Sequence, residues 1–158
     1  MNLFGFNPQN LHGFNSYLCN VNDNVASIFL DFDLKKRVPI KNYSKLVWYW
    51  MKMKNPREDR LSSNKDFDDL LLHEEKLMKF LSNYPIIFAG TITTLGRKEF
   101  YFYTKEDIDF EGIIKEFIGE EEVYKFLTDE QKDLKWEQYL NILYPNTNQI
   151  EEIKQRKK

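Results

Sequence analysis

The chain predicts an α+β fold in which two split βαβ units share one sheet. Three observations carry this. The runs YSKLVWYWMKM (43–53) and IIFAGTITT (86–94) are rich in aromatic and β-branched residues and are bounded by turn formers, as strands are. Two other stretches, Phe67 to Leu81 and Phe110 to Ile118, repeat apolar residues at helical spacing. From Tyr43 onward the elements run strand, helix, strand, strand, helix, strand. With 158 residues, one domain and one core are expected.

Each element has a local reason. Residues 1–25 are rich in Asn, Gly and Phe without a clear period, and read as an irregular arm whose phenylalanines dock on the domain. From Ala26, SIFLDFDL alternates as an extra N-terminal strand, with Pro39 in the turn or edge after it. The strand over 43–53 stops at Asn55-Pro56. Ser63 and Asp66 form an S-x-x-D box that starts a helix running to about Ser82, with Phe67, Leu70, Leu71, Leu77, Met78 and Leu81 on its inner face. Leu95-Gly96 turns the strand after Pro85 into GRKEFYFYT, giving a hairpin over 86–104. Thr104 and Asp107 form a second box, before the stripe Phe110, Ile113, Ile114, Phe117 and Ile118, closed by Gly119. VYKFLT (123–128) is a last strand. Asp133 to Tyr144 is a last helix, with Trp136, Tyr139, Leu140 and Leu143 at i, i+3, i+4, i+7 and Pro145 as its stop. Residues 146–158 read as a frayed tail. The domain therefore spans 26–145. Its pattern is ferredoxin-like (βαββαβ), extended by one N-terminal strand and one C-terminal helix.

Alternation along a strand assigns the aromatics of GRKEFYFYT to faces: Phe100 and Phe102 to the side that the helices cover, Tyr101 and Tyr103 to the other. On that other side the tyrosines either lie under the arm and the last helix or join Trp48 and Trp50 in an open aromatic face.

Charge is unevenly spread. The formal net charge is −2. Residues 35–60 nevertheless hold nine Lys/Arg against two acids. Residues 106–122 hold Glu106, Asp107, Asp109, Glu111, Glu116, Glu120, Glu121 and Glu122 against Lys115 alone. Such asymmetry concerns partners and steering rather than fold, and the acidic run is the candidate surface for a basic protein partner. The longest apolar run, Leu46 to Met51, is far short of the roughly 20 residues that cross a bilayer. No Lys or Arg occurs in the first 34 residues, so a secretory signal with a basic start is not expected. One cysteine, Cys19, permits no internal disulfide and suits the cytoplasm.

Catalytic signatures fail one by one. IFLDFDLKK has the outline of an aspartyl nucleophile loop, Asp31-x-Asp33, but carries Lys35 where that chemistry wants Thr or Val, and the element order denies the doubly wound fold. His12 and His73 stand at no metal-ligand spacing with Cys19 or each other. His73 pairs most simply with Asp69 on the helix surface. No glycine-rich phosphate loop occurs. Neither cofactor nor metal is expected. Single-stranded RNA is the alternative partner, through Trp48, Trp50, Tyr101 and Tyr103, although RKEFYFYT departs from the RNA-recognition consensus and the pI near 5.8 opposes a phosphate-binding face.

TITTLGRKEFYFYT, with Gly96 and Arg97 at its turn, is followed by Asp133-x-x-Trp136-x-x-Tyr139 and by Leu143-Tyr144-Pro145. In these motifs the chain resembles the bacterial domain of unknown function 695 family. The likeness covers 26–145 in element order. It implies a fold similar to that of the ribonuclease E inhibitor B proteins, acidic regulators that bind an enzyme and catalyse nothing, and it implies no catalytic residue. The expectation is a cytoplasmic, non-enzymatic, protein-binding domain of regulatory or inhibitor type.

Overall fold

The computed structural model describes residues 12–119 and 126–155. Its centre is one antiparallel sheet of six strands: β1 (Phe14–Val21), β2 (Asn24–Asp31), β3 (Lys45–Lys52), β4 (Ile86–Thr94), β5 (Arg97–Thr104) and β6 (Phe126–Lys132). They lie in the order β1-β2-β4-β5-β3-β6. The helices α1 (Asn64–Leu81) and α2 (Phe110–Ile118) follow β3 and β5 in the chain, and α3 (Thr147–Gln155) comes last. The class is α+β.

The N-terminal addition is a hairpin, not one strand after an irregular arm. Residues 14–21 pair with 24–31 through the two-residue turn Asn22-Asp23, both at positive φ (50° and 66°). Asn and Asp tolerate that conformation, and turns of this hand match the twist of the strands they join. Tyr17, Cys19 and Val21 share the inner face of β1. Phe14 and Leu18, exposed on its other face, blur the alternation that would have announced a strand. Residues 1–11 of the expected arm lie outside the described residues. The segment after β2 becomes a 3-10 turn, Phe32–Lys36, in which the Asp33 N–H donates to the Asp31 carboxylate at 3.0 Å.

Ser63 caps α1 as its box predicts, accepting from the Asp66 N–H at 3.2 Å. Asp66 is itself buried, because its carboxylate accepts from the Asn55 N–H at 2.7 Å. That contact rotates the helix, so Leu70, Leu77 and Leu81 go inward while Phe67 and Leu71, expected inside, stay exposed. Helix α2 is capped by Asp109, whose carboxylate accepts from the Gly112 N–H at 3.1 Å, rather than by Thr104, which is buried at the end of β5. Gly119 closes it at φ 61°, with its N–H on the Lys115 carbonyl. The last strand is described over Phe126–Lys132, past its expected end at Thr128, and its expected start falls in residues 120–125, which lie outside the described residues.

Two apolar layers result. Val47, Tyr49, Met51, Phe100 and Phe102 meet α1 and α2 on one side of the sheet. His73 turns inward from α1, its Nε2 2.9 Å from the Tyr49 hydroxyl, and burial lowers its pKa, helped by Lys76 and Lys98. On the other side Ala26, Ile28, Leu30, Ile92 and Tyr103 meet Trp136, Tyr139 and Leu143. No α-helix spans 133–144. Residues 134–135 turn, Trp136 takes φ 58°, and Gln138–Leu143 form a π-helical turn. The apolar spacing is satisfied by this irregular path. Within the stretch read as a tail, Thr147–Gln155 are helical, and residues 156–158 lie outside the described residues.

Gly90 fixes how closely β4 approaches β2. A Cβ there would lie 2.3 Å from the Phe29 carbonyl oxygen and 3.0 Å from Leu30 Cα, both backbone, beside the register shift between Phe88 and Gly90. Gly90→Ala is therefore expected to destabilise the chain by about 2 kcal/mol in urea unfolding. A loss below about 0.5 kcal/mol would show that the strands can part without cost.

Candidate functional site

Strand alternation builds one open depression on the side of the sheet away from α1 and α2. From β3 come Leu46, Trp48 and Trp50; from β5, Arg97, Glu99 and Tyr101; Gln131 comes from β6 and Gln138 from the π-helical turn. Together they line a cleft of about 320 Å³. In register, Trp48 stands opposite Tyr101 and Trp50 opposite Glu99. Both indoles are half-buried.

The floor is a fixed polar chain. Glu99 is buried, yet both its carboxylate oxygens are bonded: Oε1 accepts from the Tyr101 hydroxyl at 2.6 Å and Oε2 from Arg97 Nε. A buried carboxylate needs such partners, because an unpaired charge away from water is costly. Burial pushes the Tyr101 hydroxyl pKa upward, and the charge on Glu99 adds to the effect, so Tyr101 remains a donor across the ordinary pH range. The Arg97 guanidinium lies over the Trp50 ring, its Cζ 5.3 Å from the centroid, within cation–π range. The Arg97 side chain is 37% exposed and lines the cleft, and only its Nε is bonded to Glu99.

One wall depends on the turn at 133–138. Asp133 Oδ1 accepts from the Glu137 N–H at 2.8 Å and Oδ2 from the Gln138 N–H at 3.1 Å, which sets Gln138 on the rim. Trp136 packs beneath, 3.7 Å from the Tyr103 ring at an interplanar angle of 5°. Of the two sequence motifs, the Gly96-Arg97 turn gives Arg97 to the cleft, while Asp133, Trp136 and Tyr139 are buried outside its lining and reach it only through Gln138. A π-helical turn and a left-handed tryptophan are both uncommon, and such features gather at functional sites.

The structure sorts the expected aromatic face. Trp48, Trp50 and Tyr101 line the cleft, whereas Tyr103 is fully buried under Trp136 and cannot stack on a ligand. Gly96 forms the turn at φ 73°, Tyr139 sends its hydroxyl to the Asp31 carbonyl at 2.7 Å, and Pro145 is buried behind Tyr144. Glu99, Gln131 and Gln138 were not singled out from sequence. Glu99 could have been, since it shares strand parity with Arg97 and Tyr101.

The acidic run is less uniform than its composition suggests. Glu120, Glu121 and Glu122 lie outside the described residues. Glu106, Asp107, Asp109, Glu111 and Glu116 are exposed. Of these, Glu106 lies 3.7 Å from Lys132 Nζ, Asp109 caps α2, and Glu111 pairs with Lys115 at 3.1 Å. Among the described residues, no group of three or more His, Cys, Asp or Glu side chains is placed to hold a metal ion. No described helix is long and apolar enough to cross a membrane.

The chain belongs to the family of unknown function DUF695, whose model matches residues 13–144. No curated protein and no solved structure matches it.

Proposed function

We propose that this DUF695 chain is a non-catalytic, protein-binding regulatory domain and that its docking centre is the cleft of Trp48, Trp50, Arg97, Glu99 and Tyr101. The observation that carries the reading is the preset cluster of Trp48, Trp50, Tyr101 and Arg97 in one cleft, with Arg97 bonded to a buried carboxylate and lying over Trp50. Tryptophan, tyrosine and arginine, preset in a partly desolvated depression, are the composition of binding hot spots. The fold reading goes with it. Strands β6-β3-β5-β4 follow the order of a ferredoxin-like unit, with the β1–β2 hairpin added at its β4 edge, and this order supports kinship with the ribonuclease E inhibitor B proteins. Buried Cys19 suits a reducing bacterial cytoplasm. The acidic run takes a flanking role, because three of its five described residues are engaged in a cap or an ion pair.

A pull-down from native lysate with purified chain tests this. Trp50→Ala should reduce recovery of the partner protein about thirtyfold, the loss of one hot spot of about 2 kcal/mol. Glu116→Lys should change it less than twofold, and circular dichroism of both variants should match the parent. Recovery that survives Trp50→Ala and falls with Glu116→Lys would move the docking centre to the acidic run. Binding of single-stranded RNA with tryptophan quenching and steep salt dependence would instead favour the nucleic-acid reading, which Trp48, Trp50 and the basic 35–60 segment support.

A further inference from the structure

Among the ionisable groups of the cleft, the unused hydrogen-bonding capacity lies with the donors, while Gln131 and Gln138 add neutral carboxamides. Glu99 has spent both oxygens inside the protein, and Tyr101 has spent its hydroxyl proton on Glu99. Arg97 gives Nε to Glu99, which leaves the end-on fork of Nη1 and Nη2. Lys52, exposed, stands directly opposite Arg97 in the β3–β5 register, on the strand face of Trp48 and Trp50. Arg60 is at the same end, its carbonyl accepting from the Gly96 N–H at 2.9 Å in the turn that precedes Arg97. Arg97 is therefore the cation that lines the cleft, its neighbouring carboxylate already bonded, and Lys52 and Arg60 stand beside that end, outside the lining itself. On the β6 flank Asp129 is paired opposite Trp48 and is exposed.

From this polarity we infer that the cleft receives an acidic side chain, Asp or Glu, on an exposed segment of the partner protein, with its carboxylate on the Arg97 fork and the flanking residues of that segment against Trp48. The inference rests on the docking reading above and adds the chemistry of the occupant. A guanidinium end-on to a carboxylate makes two parallel charge-assisted hydrogen bonds, and Trp50 beneath keeps that guanidinium from turning away. A nucleic-acid strand fits less well. Arg97 already covers one face of Trp50, Tyr103 is under Trp136, and Asp129 on the β6 flank opposes a run of phosphates. The segment lies with its acid toward Lys52 and Arg97, and with neutral or basic residues toward Asp129.

The test is a displayed library of random 12-residue peptides, selected against the full chain and followed by synthetic peptides of the enriched sequences. Enriched peptides should share one acidic position. Its replacement by Gln should weaken binding to the parent at least tenfold, measured by tryptophan fluorescence. In Arg97→Met/Glu99→Gln, which removes both charges so that neither is left unpaired, the same Glu-to-Gln change should matter less than twofold. A matching urea midpoint would show that this variant is folded, and Arg97→Lys, which keeps the charge without the fork, should fall between the two. Enriched peptides that lack an acid yet depend on Trp48 and Trp50 would overturn the carboxylate inference and leave the docking reading standing. Peptides indifferent to Trp48→Ala and Trp50→Ala, or no enrichment at all, would overturn both. Oligouridylate binding that is lost in Trp50→Ala would replace the acidic segment with a nucleic acid.

Discussion

Trp136→Ala is expected to cost about 4 kcal/mol in denaturant unfolding, the largest effect of any single substitution considered. Trp136 is fully buried, stacked face to face on Tyr103, and edge-on to Tyr139 with ring centroids 6.3 Å apart. Its Nε1–H donates to the Tyr43 carbonyl at 2.9 Å, which ties the segment after β6 to the strand leading into β3. Truncation would remove the lid from one apolar layer and leave a carbonyl without its donor. The backbone sharpens the expectation. At φ 58° an L-residue pays roughly 1 kcal/mol that glycine does not. Trp136→Gly should therefore be no less stable than Trp136→Ala, the reverse of the usual order in a helix. A helical Trp136 would give alanine the advantage. Leu134→Ala, at a residue 61% exposed two positions earlier, should stay within about 0.5 kcal/mol of the parent.

What the sequence could and could not reveal follows from the kind of signal each element leaves. The hairpin of β4 and β5 was legible because Leu95-Gly96 demands positive φ and the flanking strands alternate. The start of α1 was legible because Ser63 performs a local task. Strand parity alone separated Phe100 and Phe102 from Tyr101 and Tyr103, and it placed Trp48 and Trp50 with the tyrosines. The failures share a different cause. Phe67 and Leu71 fit the helical stripe of α1, but a tertiary bond, Asn55 N–H to Asp66, chose the buried face. The segment from Asp133 fits a helix by spacing, yet the Asp133 carboxylate takes the N–H groups of Glu137 and Gln138, and Trp136 turns left-handed. Spacing reports which residues are apolar, not the φ at which the chain reaches them. Gln138 entered the cleft through that turn, so its role was hidden, while Arg97, Trp48, Trp50 and Tyr101 were visible.

Asp133→Ala is expected to cost about 3 kcal/mol, and most of that should be coupled to Tyr103. The carboxylate accepts from the Tyr103 hydroxyl at 2.7 Å as well as from two backbone N–H groups, and it is buried. Removing it leaves three donors without a partner, each carrying part of a desolvation penalty of about 1–3 kcal/mol. Tyr103→Phe takes one donor from the Asp133 carboxylate and leaves the Tyr139 N–H, 3.3 Å from that hydroxyl, without its acceptor, so about 1 kcal/mol is expected, and in the double variant the two losses should fall short of additivity by about 1 kcal/mol. The same pair sets an alkaline limit. Burial, then the bond and charge of Asp133, hold the Tyr103 pKa above its ordinary value near 10. Above pH 10 the unfolded chain releases this proton and the folded chain keeps it. The unfolded state then binds fewer protons, so stability falls as pH rises, by about 1.4 kcal/mol per pH unit for each such tyrosine. Tyr17, Tyr49, Tyr101 and Tyr139 are raised by burial in the same direction and act together with Tyr103. Unfolding followed from pH 8 to 11 should show a flat region up to about pH 10 and then a steep loss, shallower by one tyrosine's share in Tyr103→Phe. Equal slopes in parent and Tyr103→Phe would mean that Tyr103 ionises in the folded chain as freely as in water, and that its bond to Asp133 does not hold the turn beneath the cleft.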